Sequence, residues 1–297
     1  MVVMHRHAGP AFHPDLLTPR LTQDAIDLHF SQQKTPVVVY PEVVSGNPLA
    51  ASCIVRYVLN FPGLLGGSVT YSDSELVYAF SKQLATQCGD PEQVLHMPVI
   101  DTAIFKQNRS LKRKGTCFYA SKFQNVHGQK PFDLPVGAVE ITRDKHNSQA
   151  PQEIAELFNS SEAFYCYENS ALAIEAVLCG CPVIFMPSPF LKTPIAVHEL
   201  GWDGFAWGAS AAEIRRARET VQRGTENYQK TIVLFFKQLN KFIKETQNRA
   251  AVLPYRTKLN LQEYDITYGE VRDLIRNKQA WTMVDRFNLL WDAAIAK

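Results

Sequence analysis

The sequence contains no apolar run close to the roughly 18 residues needed to cross a bilayer. Its longest apolar stretches, around residues 118–120 and 183–186, are of strand length. The opening MVVMHRHAGP lacks the apolar core of a secretory signal. Charge of one sign is also missing: the net charge is +2, so nothing demands a nucleic-acid partner. The six cysteines, at 53, 88, 117, 166, 179 and 181, have no metal-ligand spacing. Cys179-Gly-Cys181 is a C-x-C rather than a C-x-x-C, and the set is expected to be reduced core thiols of a cytosolic protein. His5, His7 and His13 are loosely spaced among prolines, as solvated loop histidines are. The glycines of residues 60–67 do not form G-x-G-x-x-G, which removes a dinucleotide fingerprint. No Asp-x-Asp metal motif is present; Asp73-Ser-Glu75 is a poor match in a turn-rich context. What remains, with 46% hydrophobic and 20% charged residues over 297 positions, is a globular chain long enough for two domains.

The most informative stretch is residues 163–187. Residues 163–167 are apolar and aromatic, fit for a buried strand. Glu168, Asn169 and Ser170 interrupt them with groups that favour a helix N-cap. Residues 171–178 are strong helix formers with Glu175 as the only charge. Gly180 stops that helix, Pro182 cannot continue it, and residues 183–186 form a second buried strand. This is the strand–helix–strand repeat of a parallel α/β sheet. A helix N-terminus at the carboxyl edge of such a sheet suits phosphate. A carboxylate a little over one turn in, at Glu175, is placed to accept two hydrogen bonds from a ribose diol. The alternative is that Glu175 decorates an exposed face.

Along the rest of the chain, residues 22–32 are expected to form a helix and 36–40 a β-branched buried strand. A loop of turn formers, 41–49, follows. Residues 50–59 are expected to be helical, with Ile54, Val55 and Val58 on a core face. A short strand at 76–80, a helix or loop at 81–87 and an extended segment at 94–99 complete the first part. The basic run 106–114, KQNRSLKRK, reads as a solvated linker and a domain boundary. Strands are expected at 115–120 and 138–142, a helix at 150–159, a short aromatic segment at 202–208 and a charged helix at 211–223. A long amphipathic helix at 227–247 carries Ile232, Leu234, Phe235, Phe236, Leu239, Phe242 and Ile243 as a broad apolar stripe. The last fifty residues are too apolar for a disordered tail, which leaves a packing appendage, an oligomer contact or a membrane-surface patch open.

Residues 162–187 resemble the donor-binding segment of GT-B glycosyltransferases, especially those similar to family 4. The resemblance rests on Glu168-Asn169-Ser170-Ala171-Leu172, then Glu175-Ala176, then Cys179-Gly180-Cys181-Pro182-Val183. Element order extends it over about residues 36–247. It implies an α/β fold of two Rossmann-like domains, the first shortened, with C-terminal helices. Residues 1–105 would be the acceptor-side domain, 106–226 the nucleotide-sugar-binding domain, and 227–297 helices packing back across the domains. It implies a metal-independent transferase that moves a sugar from a nucleotide-activated donor to a carbohydrate or glycolipid acceptor, in surface polysaccharide synthesis. The alternative is a non-catalytic nucleotide-sugar-binding or partner subunit. No cofactor is implied beyond the nucleotide-diphosphate sugar itself. The location implied is cytoplasmic, peripheral at the inner membrane face.

By the same resemblance Glu175 holds the ribose, with Asn169, Ser170 and Ala171 at the phosphate-binding turn. The family's first acidic position falls on Tyr167, and the nearest carboxylate is Glu168. Lys122 occupies the place of a basic residue that contacts the donor diphosphate, although Ser121 stands where glycine is often found before it. Arg143 is a second candidate for the phosphates or the base. Glu42, in the loop after the 36–40 strand, would border the donor cleft as a general base or acceptor-holding group. Its alternative role is to stabilise its own loop through backbone N–H groups near Gly46 and Asn47.

Overall fold

The computed structural model describes residues 27–28, 30–143 and 148–253. The expectations for residues 2–4, for the three early histidines, for the start of the 22–32 helix, for Asp144 and for the apolar C-terminal residues lie outside these. The described residues are mixed α/β and build two parallel sheets. They divide into two compact units. One is drawn from Met1–Phe80, Leu84–Leu95 and Gln238–Lys297, the other from Ser81–Gln83 and His96–Lys237.

The first unit holds a three-stranded parallel sheet of order β1-β2-β3, with β1 at Val37–Pro41, β2 at Cys53–Val58 and β3 at Leu76–Ala79. The expected helix at 50–59 is corrected here: its core is the central strand. Ile54, Val55 and Val58 satisfy a helical spacing, but Ile, Val and Tyr side chains favour the pleated surface. A central strand covered on both faces also loses the polar alternation that would announce it. Cys53, Val55 and Val58 are fully buried, and so is Arg56. The Arg56 guanidinium is satisfied by Glu75 Oε2 at 2.9 Å and by the carbonyls of Val44 and Gly46, between the rings of Tyr40 and Tyr71. That set ties the loop after β1 to the sheet. Helix α1 (Lys82–Gln87) follows β3.

The second unit holds five parallel strands: β4 (Thr116–Tyr119), β5 (Val139–Glu140), β6 (Ala163–Cys166), β7 (Val183–Phe185) and β8 (Phe205–Trp207). Their order is β5-β4-β6-β7-β8. Between them run α2 (Ser121–Asn125), α3 (Pro151–Ser160), α4 (Leu172–Leu178) and α5 (Val197–Leu200). Helix α6 (Ala211–Thr220) follows β8, and α7 (Gly224–Val252) ends the described chain. Period-2 alternation supplies a core on each face of this sheet. Phe164, Cys166, Val183, Phe185 and Phe205 join one cluster with Ile154, Phe158 and Leu172. Tyr165, Tyr167, Ile184, Met186 and Ala206 join the other with Phe123 and Ala217.

The basic run 106–114 lies inside this unit and is not simply solvated. Arg113 donates to the carbonyls of Phe158 (2.7 Å), Ser161 (2.8 Å) and Cys179 (2.7 Å), which closes the C-terminal ends of α3 and α4. Asn159 clamps the same segment through Asn108 N and Lys106 O. Arg113→Ala leaves three carbonyls without a charged donor. The expected loss of unfolding free energy is about 3 kcal/mol, from roughly 1.5–3 kcal/mol per charged hydrogen bond with partial rescue by water. Urea unfolding of the variant measures it, and a change within 0.5 kcal/mol or so of zero would mean that the run is a linker after all.

Candidate functional site

Strand order fixes where a site can form. The chain lays down β4, moves out to β5, then returns to place β6 on the other side of β4. Loops leaving the carboxyl ends of β4 and β6 therefore diverge, and open α/β sheets bind ligands in that crevice. Helix α2, which follows β4 almost at once, carries Lys122 in its first turn; the loop after β6 carries Glu168, Asn169 and Ser170; the loop after β5 carries Arg143. The structure thus brings all the candidate residues of this unit to one sheet edge.

Glu168 is buried two residues beyond β6. Its Oε2 accepts the N–H groups of Lys122 (2.6 Å) and Phe123 (3.3 Å), so it caps the first turn of α2. Its Oε1 has no hydrogen-bond partner and lies 3.5 Å from Lys122 Nζ. Burial raises the Glu168 pKa, while the Lys122 charge and the two N–H groups pull it back. The Lys122 ammonium also reaches Asn169 O at 3.5 Å and is about one-third exposed.

Glu175, the fourth residue of α4, is buried as well. Arg143 Nη2 meets both of its oxygens, at 3.1 and 2.9 Å. Burial raises the Glu175 pKa, and Arg143 opposes that rise. Arg143 itself remains about one-third exposed. Ser170 Oγ accepts the Leu172 N–H at 3.3 Å, so it does the capping, although Ala171 is the residue next to the helix and is exposed. The Asn169 amide donates to Thr193 O (3.2 Å) and accepts from Ile195 N (2.9 Å), which holds the loop after β7 against this edge.

Glu42 belongs to the other unit. It is buried just past β1, and its Oε2 accepts the Leu59 N–H at 2.9 Å, at the exit of β2. Gly67 packs on the Glu42 backbone: with φ +77° and a Cβ that would stand 2.0 Å from Glu42 O, only glycine fits.

Two groups at the site were not anticipated. One is the 193–195 loop, which its position after a strand carboxyl end could have flagged. The other is His127, stacked on Phe190 with ring centroids 4.0 Å apart, beside an aromatic group of Phe123, Phe132 and Tyr167. Burial and the Lys122 charge lower the His127 pKa. Among the described residues no group of three or more His, Cys, Asp or Glu side chains could hold a metal ion. Glu75 of the Asp73-Ser-Glu75 sequence is already paired with Arg56. All six cysteines are free, and every one but Cys88 is buried. None of the described helices is long and apolar enough to cross a membrane.

The raised pKa of Glu168 gives a pH test. A carboxyl whose pKa is raised by folding contributes stability below its ordinary value of 4.5 and loses it as pH climbs through the raised value. Glutamine does not titrate. Wild type should therefore lose stability relative to Glu168→Gln as pH rises from 4.5, with no further change once ionisation is complete. Thermal unfolding across pH 4–8 reads the trend; a wild type that gains on the variant with rising pH would mean that Lys122 outweighs burial. No family model matches the sequence, and no curated protein matches it either.

Proposed function

We propose that the chain transfers a sugar from a nucleotide-activated donor to a carbohydrate or glycolipid acceptor. The observation that supports this reading most is the convergence, at one parallel-sheet edge beside the switch in strand order, of two buried carboxylates and two cations each about one-third exposed. Glu175 offers two adjacent oxygens to the ribose diol. Lys122, and Arg143 once it leaves Glu175, stand near where a diphosphate would lie. Cations there would stabilise the charge that develops on a nucleoside-diphosphate leaving group, a role a metal plays elsewhere.

A calorimetric series tests this. Wild type should bind a nucleoside diphosphate, and Glu175→Ala should weaken that binding by less than the roughly 1.5–3 kcal/mol of one charged hydrogen bond, because Glu175 gives up Arg143 to receive the ribose. Lys122→Ala should weaken the diphosphate much more than the nucleoside. No nucleotide binding by wild type, or equal losses on both ligands with Lys122→Ala, would sink the assignment.

A second reading, a subunit that binds the nucleotide sugar without turning it over, is favoured by the state of Glu42. The one candidate base of the first unit is buried and spent on the Leu59 N–H. Glu42→Gln keeps an acceptor oxygen but cannot take up a proton. A base role requires a drop in turnover of about 100-fold or more at unchanged donor affinity. Unaltered turnover assigns Glu42 to its loop, and absence of any sugar transfer or donor hydrolysis by wild type favours the binding subunit.

A further inference from the structure

The amino edge of the five-stranded sheet, opposite the candidate site, has a composition of its own. All five strands are parallel, so the segments entering them reach one edge together. Those segments are residues 106–115 before β4, 135–138 before β5, 161–162 before β6, 180–182 before β7 and 201–204 before β8, and all lie in the second unit. They hold Lys106, Arg109, Lys112, Arg113 and Lys114 against two carboxylates, Glu162 and Asp203. Asp203 is already paired with Arg223 at 3.7 Å and accepts from Asn227 at 3.0 Å. Lys106, Arg109, Lys112 and Lys114 are exposed and make no ion pair among the described residues.

Apolar side chains stand at the same edge. Val136 is fully exposed, and Leu111 and Trp202 are each 40% exposed. From β5 to β8 is four strand steps, so these tips spread over about 19 Å at roughly 4.8 Å per step. Hydrogen bonds hold the loops that carry them. Arg113 and Asn159 anchor the basic run, and Lys114 N donates to Ser160 O at 2.7 Å. Within the run Asn108 Oδ1 accepts from Ser110 N (3.1 Å) and Oγ (2.7 Å). Val136 tips a turn closed by Ala138 N on Pro135 O at 3.2 Å, with Gly137 at φ +80°. Trp202 opens another, closed by Phe205 N on its carbonyl at 3.1 Å, and the Arg216 guanidinium lies over its ring at 5.9 Å.

Free cations with apolar side chains among them match a bilayer surface that carries anionic headgroups. The cations meet the headgroup charge, and Leu, Val and Trp enter the boundary beneath it. A nucleic acid would satisfy the cations, but Leu111 and Val136 have no ring on which a base could stack.

We infer that the amino edge of this sheet docks on a membrane surface rich in anionic phospholipid, through the free cations of residues 106–114, with Leu111, Val136 and Trp202 inserted at the headgroup level. Docking at this edge is independent of what the opposite edge binds. The test sediments the full-length protein with vesicles of phosphatidylcholine alone and of phosphatidylcholine mixed with phosphatidylserine. Binding should require the anionic lipid and weaken as added salt shortens the screening length. Lys112→Ala/Lys114→Ala should weaken it about 30-fold, equivalent to roughly 1 kcal/mol per cation, and Leu111→Asp should weaken it as well. Neither lysine side chain bonds to another described residue, so the double variant should unfold at the wild-type temperature. Lipids brominated on their acyl chains should quench the tryptophan fluorescence of the wild type, and Trp202→Phe should remove most of that quenching. No sedimentation with anionic vesicles would overturn the proposal. So would sedimentation unchanged in the lysine variant, or quenching unchanged by Trp202→Phe, either of which places the contact elsewhere in the chain. Tighter retention on DNA than on anionic vesicles, lost in the same lysine variant, would overturn it by making the edge a nucleic-acid surface.

Discussion

A carboxylate taken out of water must be given a counter-charge, hydrogen-bond donors, or both, and the carboxyl edge of the five-stranded sheet is arranged around that demand. Glu168 and Glu175 meet it differently. Glu168 takes two backbone N–H groups at the first turn of α2, with Lys122 within 3.5 Å of its second oxygen. Glu175 takes no such backbone donors and relies on Arg143 at both oxygens. The first arrangement fixes backbone: it joins the loop after β6 to the helix after β4 and so pins the two strand ends at the switch in strand order. The second fixes a side chain that leaves for solvent at about one-third exposure. Glu168 therefore anchors backbone, whereas Glu175 is held by a side chain alone.

The sheet explains why polar groups gather at this edge. Strands covered on both faces leave no room for polar side chains between them: β6 is buried throughout, with Phe164 and Cys166 on one core and Ala163 and Tyr165 on the other. Polarity appears as soon as the strand ends, at Glu168. Asn169 then extends the anchoring sideways to Thr193 and Ile195, so three loops from three strands share one hydrogen-bonded patch.

Much of this was legible where the signal was local. Residues 163–186 announced strand, helix and strand because apolar runs of strand length were separated by cap formers and closed by Gly180 and Pro182. The same local logic failed at 50–59, where a strand covered on both faces and a helix face share the spacing of Ile54, Val55 and Val58. Partners distant in sequence were not legible at all. Arg113 looked like part of a charged linker because the carbonyls it closes lie 45 to 66 positions away. Nothing near Glu168 reveals that its acceptors serve N–H groups 46 and 45 positions earlier. Glu42 likewise accepts the Leu59 N–H, 17 positions on and just past the end of the next strand.

Under the proposed function, these pairings set how strongly a nucleotide can be held. A ribose diol arriving at Glu175 does not meet a bare carboxylate; it meets one that already accepts from Arg143 at both oxygens. The net gain is the difference between two sets of charged hydrogen bonds, each of roughly 1.5–3 kcal/mol, and is smaller than either. The displaced guanidinium is then free to pair with another anion, and a diphosphate is the one a nucleotide carries to the same edge. The neutral nucleoside pays the cost of displacing Arg143 without that return. On this reading phosphate would strengthen binding, because the guanidinium that pairs with Glu175 is also a cation that a ligand phosphate could recruit.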